Sequence, residues 1–493
     1  MKRYVLGIDQ STQGTKALLF DDKGGLLERA DLPHRQIING QGWVSHDPEE
    51  IYANTLRVIR NVVEKAGISP SEIAAMGISN QRETSVAFDR SGHPVADAIV
   101  WQCSRAEKIC RRVQEAGCSE AIRTATGLQL SPYFPASKFA WFLENVPEAA
   151  ELSKAGNLLF GTMDTYLIYR LTKGREFRTD YSNASRTQLF NIFTLEWDPE
   201  ICRMFGIPEA SLPKVTDSDA LFGMTDLEGY LSDPIPICGV LGDSHAALFG
   251  QGCHEKGMVK ATYGTGSSIM MNIGSDAILS SHGVVTSLAW RTQGKTQYVL
   301  EGNINYTGAV ITWLKDDLKL ISSAAETEEL AKAANPKDHS YLVPAFTGLG
   351  APYWDSEAEG ILCGMTRITG RNEIVRDALQ CIVYQITDVL RAMEEDAGFS
   401  IEELRTDGGP TRNAWLMQFQ SDMIGVRVGV SEVEELSGMG AAYMAGISAG
   451  LYDRERIFEG RKRNTYLNKM PAEEAGRFYA GWKKAVTKVL KNP

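Results

Sequence analysis

Long apolar runs are missing from this 493-residue chain, and the one that follows Lys2 and Arg3 is broken at Asp9 after only Tyr4 to Ile8. That is too short for a signal-peptide core, and nothing further along can span a bilayer, so no membrane partner is expected. Positive charge is in deficit as well. With 51 Lys and Arg against 62 Asp and Glu, a net charge of -11, there is no cationic surplus to meet a phosphate backbone, which excludes nucleic acid as a partner. The eight cysteines (103, 110, 118, 202, 238, 253, 363 and 381) form no Cys-x-x-Cys pair and no framework spacing, so neither disulfides nor zinc are supported. A reduced, cytoplasmic protein with a small-molecule role is expected. The two-glycine, lysine and hydroxyl pattern of a Walker loop is also absent.

What the chain has is size and polar turns. It is too long for one core and long enough for two large domains, which implies a cleft between them. Residues 9–16, Asp-Gln-Ser-Thr-Gln-Gly-Thr-Lys, lie between the apolar runs Tyr4 to Ile8 and Ala17 to Phe20 and read as a tight turn joining two strands. Amides and hydroxyls at such a bend can donate to phosphate oxygens, Lys16 can neutralise charge and Asp9 can help hold a magnesium ion. Ordinary turn chemistry uses the same residue types, so the octapeptide alone leaves both readings open.

Strands and helices alternate around it. The Asp47-Pro48-Glu49-Glu50 capping signal opens a helix to Ala66, with Ile51, Leu56, Ile59, Val62 and Val63 at helical spacing, and a strand follows from Ile73 to Ile78. A second helix is expected over 373–397, stopped by Gly398, giving α/β architecture. A second glycine and hydroxyl turn, residues 264–268, sits between apparent strands at 258–263 and 269–272, and a third, residues 407–413, leads to a helix near Ala414. Two similar turns about half a chain apart suggest two related domains facing one nucleotide.

Candidate chemistry lies where strands end. Asn80-Gln81-Arg82-Glu83-Thr84 follows the strand at 73–78, where open α/β sheets place ligands, although an Arg82–Glu83 surface ion pair would also explain it. Trp101 and Tyr133 offer flat faces suited to polyol carbons, or plain core. Asp243 ends the apolar run 235–241 and can take the proton of an attacking hydroxyl, or cap a helix, with His245 as a rival base. In a loose phosphoryl-transfer transition state positioning outweighs base strength, which favours Asp243.

These pieces, in this order, resemble the FGGY carbohydrate kinases and, among them, the glycerol-phosphorylating branch. The match runs from Tyr4 to about Gly450, through residues 42–48, 77–84, 98–103, 180–187, 343–354 and 416–422 and the signature-like segments 133–145 and 360–380. The resemblance implies two actin-like, ribonuclease-H-like ATPase domains, 1–253 and 254–493, closing over ATP, Mg2+ and a small polyol. It implies an acceptor site of Arg82, Glu83, Trp101, Tyr133 and Asp243, with Asp243 as general base. On the nucleotide side it implies Thr12, Gln13, Gly14, Lys16, Thr265, Gly308, Gly409 and Asn413, with Asp9 near the metal. A homo-oligomer, dimer or tetramer, is implied too.

Departures from the pattern bear on the acceptor. Ser244 stands where that branch has Gln, Ser268 where it has Phe and Ser131 where it has Asp, which predicts a roomier, more polar pocket. Gly14-Thr15-Lys16 and the 407–413 turn look like the xylulose-phosphorylating branch. Phosphorylation of a primary hydroxyl of glycerol is therefore expected first, with a longer polyol or ketose such as erythritol or xylulose as the rival. An actin- or chaperone-like ATPase is a remote alternative that has no use for the acceptor residues.

Overall fold

The computed structural model describes residues 2–491. Its first sheet begins with an antiparallel meander, β1 (Tyr4–Gln10), β2 (Gly14–Phe20) and β3 (Leu26–Pro33). Helix α1 (Pro48–Ala66) then crosses to β4 (Ile73–Asn80), which pairs parallel with β1. After a small edge strand, β5 (Gly223–Thr225), β6 (Ile235–Gly242) pairs parallel with β4 and runs into α2 (Asp243–Gly250). The spatial order is β5-β6-β4-β1-β2-β3.

The second half repeats the plan. A meander of β7 (Val259–Tyr263), β8 (Ser267–Gly274) and β10 (Lys295–Ile304), with β9 (Val285–Thr292) outside it, is followed by the long helix α3 (Arg371–Ala397). Strand β11 (Glu403–Asp407) then pairs parallel with β7, and β12 (Arg427–Ser431), reached through α4 (Ala414–Ile424), pairs parallel with β11. In each half three meandering strands are therefore extended by two parallel ones. This duplication is the one the paired turns suggest, and it agrees with the two actin-like domains that the family resemblance implies.

Local chemistry explains the elements. Helix α1 is opened by Asp47, whose side chain accepts the Glu49 N–H, and closed by Gly67 in the left-handed region at φ 65°. Its buried Ile51, Val58, Ile59, Val62 and Val63 form the stripe that packs on the first sheet. Strands β2 and β8 start earlier than apolar patterning suggests, because the polar turn residues Gly14-Thr15-Lys16 and Ser267-Ser268 already pair in the ladders.

Helix α5 (Leu436–Ser448) belongs by sequence to the second half, yet it packs on β1, β4 and β6 of the first sheet and on α2. Small residues make this possible: a Cβ on Gly77 would lie 2.2 Å from the Ala441 carbonyl oxygen, and one on Gly440 1.9 Å from that of Ala246. The two halves are thus joined by a core of their own, built around Leu18, Phe20, Leu248, Met439 and Tyr443. All eight cysteines are free. Among the described residues no helix is long and apolar enough to cross a membrane.

Candidate active site

Strand register brings the sequence-distant segments together. Gln10 lies opposite Asn80, and Asn80 opposite Gly242, so β1, β4 and β6 end in line and the segments after them emerge side by side. In the second sheet Thr262 lies opposite Asp407, which aligns the turns 264–266 and 408–413 in the same way. The two sides are bridged where Arg82, after β4, meets Glu301 of β10 at 2.7 Å.

On the first sheet's side of the cleft, Asp9 is buried and accepts the Ser79 hydroxyl at 3.0 Å through Oδ1. Burial raises its pKa to about 6, with Lys16 pulling it down and Asp243 and Glu435 pushing it further up. Lys16 reaches across to Glu435 at 2.7 Å, and Glu435, just before α5, also takes Arg29 at 2.6 Å. Burial works against the Lys16 charge, but Asp9 and Glu435 outweigh it and hold its pKa above the ordinary lysine value. Gln13 is exposed at the hairpin tip, and the Gly14 carbonyl closes the turn by accepting the Ser11 N–H at 2.9 Å. Thr12 faces the acceptor side, where its hydroxyl accepts the Trp101 indole N–H at 2.9 Å.

The second sheet's turns present bare backbone. Gly408 sits at φ 100°, where a Cβ would meet the Tyr263 carbonyl oxygen at 2.0 Å, and a Cβ on Gly266 would meet that of Ile304 at 2.3 Å. Gly409, by contrast, has nothing within 4 Å of its Cβ position. The turns are closed against protein on one side and open on the other, as a phosphate or nucleoside cradle requires. Thr265 is exposed, and its carbonyl accepts the Thr307 and Ala309 N–H groups at 2.9 and 3.0 Å, beside Gly308. Asn413 caps α4 by accepting the Leu416 N–H at 2.9 Å, and its amide donates to Thr327 at 3.0 Å, so its side chain is occupied at both ends.

On the acceptor side, Arg82 and Glu83 are 5% and 2% exposed, which rules out a surface ion pair between them. Each has its own partner. Arg82 donates from Nε to Asp243 at 3.1 Å and from both terminal nitrogens to Glu301 at 2.8 and 2.7 Å; Glu83 accepts Arg186 Nε at 2.7 Å, and Arg186 also meets Glu301 at 2.9 Å. Glu301 lies on β10, so a fully buried carboxylate from the second sheet grips both arginines of the first. Burial would raise its pKa, but Arg186 and Arg82 hold it far below the usual carboxylate range. For Glu83 burial prevails and the pKa is raised. Its backbone is left-handed at φ 61°, a strained geometry for glutamate that aims the side chain at Arg186.

Asp243 is the first residue of α2, with Gly242 as N-cap, so the helix N-terminus favours its charge. Its Oδ1 takes Arg82 and the Ser244 N–H, Oδ2 takes no hydrogen bond among the described residues, and its side chain is 36% exposed. His245 is the opposite case: fully buried, with Nε2 3.4 Å from Ser287 and pushed far below its ordinary pKa by burial and then by Arg82. Fully buried and held at Ser287, it lacks the exposure that a substrate hydroxyl would need, and so low a pKa makes it a poor proton acceptor, which argues against it as the rival base. Trp101 and Tyr133 stand with ring centroids 5.4 Å apart and their planes tilted by 56°. Their backbone carbonyls are held by the buried ammonium of Lys138 at 3.3 and 2.7 Å, and burial lowers the pKa of that lysine to about 7.

Four residues at this site, Glu301, Arg186, Glu435 and Lys138, are not among the expected site residues, and Glu301, Arg186 and Glu435 act on partners more than a hundred positions away. A signal existed only for Arg186 and Lys138, which fall in the family-like segments 180–187 and 133–145.

Comparison with known proteins gives a consistent picture. The models for the FGGY family of carbohydrate kinases match residues 4–250 with their N-terminal domain and 259–449 with their C-terminal domain. The chain is 47% identical over 493 residues to glycerol kinase 2 of Thermotoga maritima, covering 99% of each. It superposes on the solved structure of Plasmodium falciparum glycerol kinase with ADP at a TM-score of 0.93, with 33% identity and 99% of each chain covered. Xylulose kinase of Lactobacillus acidophilus shares the fold at a TM-score of 0.88 and 22% identity, over 98% of this chain and 97% of that one.

Proposed function

The chain belongs to the FGGY family of carbohydrate kinases, and on that premise we propose that it phosphorylates a primary hydroxyl of a small polyol, glycerol first, to give glycerol 3-phosphate. The observation that carries this reading is Asp243, a half-open carboxylate at a helix N-terminus, fixed by Arg82, which Glu301 of the second sheet also grips. A bare ATPase would have no need of it.

In this reading Asp243 Oδ2 orients the acceptor hydroxyl and takes its proton, because Oδ1 is already committed. Arg82 and Glu83 bind the neighbouring hydroxyls, and Trp101 and Tyr133 cover the carbons. The turn at 264–266, with Thr265 and the adjacent Gly308, and the turn at 408–413, with Gly409, receive the nucleotide. Asn413 acts there by shaping the second turn, while from the first sheet Gln13, Gly14 and Lys16 face the phosphates and Thr12, held by the Trp101 indole, stands between the phosphates and the acceptor. Magnesium-ATP, when bound, supplies the phosphoryl group and the cation that offsets its charge. Asp9 fits that cation: Oδ2 takes no hydrogen bond among the described residues, and one carboxylate plus phosphate oxygens and waters suffices for magnesium. No cluster of three or more His, Cys, Asp or Glu able to hold a metal occurs among the described residues, so a protein-only cage is not part of the scheme.

We further divide the chain at 253/254, with α5 lent back to the first domain, and place the protein in the cytoplasm, a setting that suits eight free cysteines. Self-association as a dimer or tetramer rests on family resemblance and is read out by solution mass. The kinase reading is tested by polyol-dependent release of ADP. Release with glycerol that is lost in Asp243→Asn supports it, and release that ignores the polyol refutes it.

A further inference from the structure

Behind the glycine turn at 264–266 lies a charge that the reaction described above does not use. Lys260, on β7, is fully buried. It shares a sheet face with Glu301 and Asp407: Met270 on β8 stands between Lys260 and Glu301 in the ladder, and Thr262, two residues on, stands beside Asp407. The side chain leans forward along the hairpin, where its ammonium donates to Thr262 Oγ1 at 3.2 Å, to the Ser268 carbonyl at 3.3 Å and to Ser268 Oγ at 3.4 Å. Thr262 and Ser268 form one rung of the ladder, Tyr263 and Ser267 the next, and the turn follows. The charge therefore sits about 7 Å behind Gly264, the rise of two strand residues.

No carboxylate pairs with this ammonium among the described residues. Glu301 is held by Arg82 and Arg186, and Asp407 accepts Gln251 at 3.0 Å and Thr262 at 3.2 Å. Burial lowers the pKa of Lys260; at longer range Asp407, Glu301 and Asp243 pull it back up, and Arg82 adds to the lowering. A neutral donor would brace Thr262 and Ser268 as well, so bracing alone does not account for a charge here. A buried cation without a counter-charge destabilises the empty protein, and that cost is offset when an anion settles nearby. The turn in front of it, Gly264-Thr265-Gly266, has backbone amides and no cation of its own. Across from it, Lys16 is already held by Glu435 at 2.7 Å.

We propose that Lys260 is a positioning residue for the nucleotide, whose buried charge supplies the positive field that draws phosphate groups onto the turn at 264–266. This rests on the kinase reading above. Being fully buried, Lys260 acts through the hairpin and through its field, without touching the ligand. Its pull then grows with the number of phosphate charges and is absent for the nucleoside.

The test measures binding of adenosine, ADP and a non-hydrolysable ATP analogue by calorimetry, on the unaltered chain and on Lys260→Met, Lys260→Gln and Lys260→Arg. Glutamine keeps a donor for Thr262 and Ser268 without the charge, so it carries the comparison if the methionine variant does not fold, which circular dichroism shows. A charge about 10 Å from a phosphate in an effective dielectric of about 20 is worth roughly tenfold in affinity. Both neutral variants should therefore bind ADP about tenfold more weakly and the ATP analogue more weakly by at least as much. Adenosine should stay within about twofold, and Lys260→Arg should restore ADP binding to within about threefold. Neutral variants that bind ADP as tightly as the unaltered chain, or that lose adenosine, ADP and the analogue by one common factor, would overturn the role of Lys260 and leave the kinase reading intact. No binding of ADP by the unaltered chain would instead overturn the kinase reading.

Discussion

Replacing Glu301 with glutamine probes the join between the two sheets without touching a reacting atom. The carboxylate is fully buried and holds Arg82 at 2.7 and 2.8 Å and Arg186 at 2.9 Å. Glutamine keeps the volume but removes the charge and turns an N–H toward a guanidinium. Breaking a buried ion pair from one side costs about 3–5 kcal/mol, because the partner charge stays buried and uncompensated. For domains of this size that corresponds to a fall in Tm of roughly 6–20 °C. Activity should suffer separately, since a loosened Arg82 no longer fixes Asp243, and a misplacement of about 1 Å can cost on the order of 100-fold in kcat/KM. Calorimetry and ADP release measure the two effects. Arg186→Gln provides a cycle: with Arg186 already neutral, Glu301→Gln should cost less than in the unaltered chain, with a coupling of about 0.5–3 kcal/mol. A Tm within about 1 °C of the unaltered chain, together with normal kcat/KM, would refute the claim that Glu301 organises the acceptor site.

Further outcomes follow from other parts of the cleft. The Asp9 pKa, raised by burial to about 6, lies above the unfolded value, so the native state binds the extra proton and stability falls as pH rises through about 6. That elevation corresponds to roughly 3 kcal/mol, so Asp9→Asn should raise the Tm of the ligand-free protein at pH 8 but little near pH 4, while abolishing magnesium-dependent activity; an unchanged Tm at pH 8 would contradict the burial cost. Gly408→Ala puts a Cβ 2.0 Å from the Tyr263 carbonyl and should abolish ADP binding by calorimetry, and normal affinity would remove this turn from the nucleotide site. With turns on two sheets facing one cleft, ATP analogue and polyol together should reduce the radius of gyration in solution scattering, and no change would argue against closure.

The local features of the fold were legible because they are carried by neighbouring residues. Helix α1 begins and ends where its capping signals place it, and all three glycine turns lie at strand ends. Asp243 stood out because an apolar run delivers it to a strand's end. The residues that organise the site around it were not legible. Glu301 follows the apolar run Tyr298-Val299-Leu300, and nothing beside it in the chain shows that its partner is Arg82, 219 positions earlier. Glu435 and Lys16 meet only because α5 returns to the first sheet, a placement set by close contact at Gly77 and Gly440 rather than by any local pattern. The buried, neutral state of His245 depends on Arg82 and the packing over it, which no motif around it records.

The central claim is that one cleft joins an open-backed nucleotide cradle to an acceptor base at Asp243, and phosphorus NMR of a single reaction tests it most directly. Incubated with ATP, magnesium and glycerol, the protein should convert ATP to ADP and a new phosphomonoester in equal amounts, and neither should form with Asp243→Asn. Inorganic phosphate in place of the phosphomonoester, at a rate that does not depend on the polyol, would contradict it.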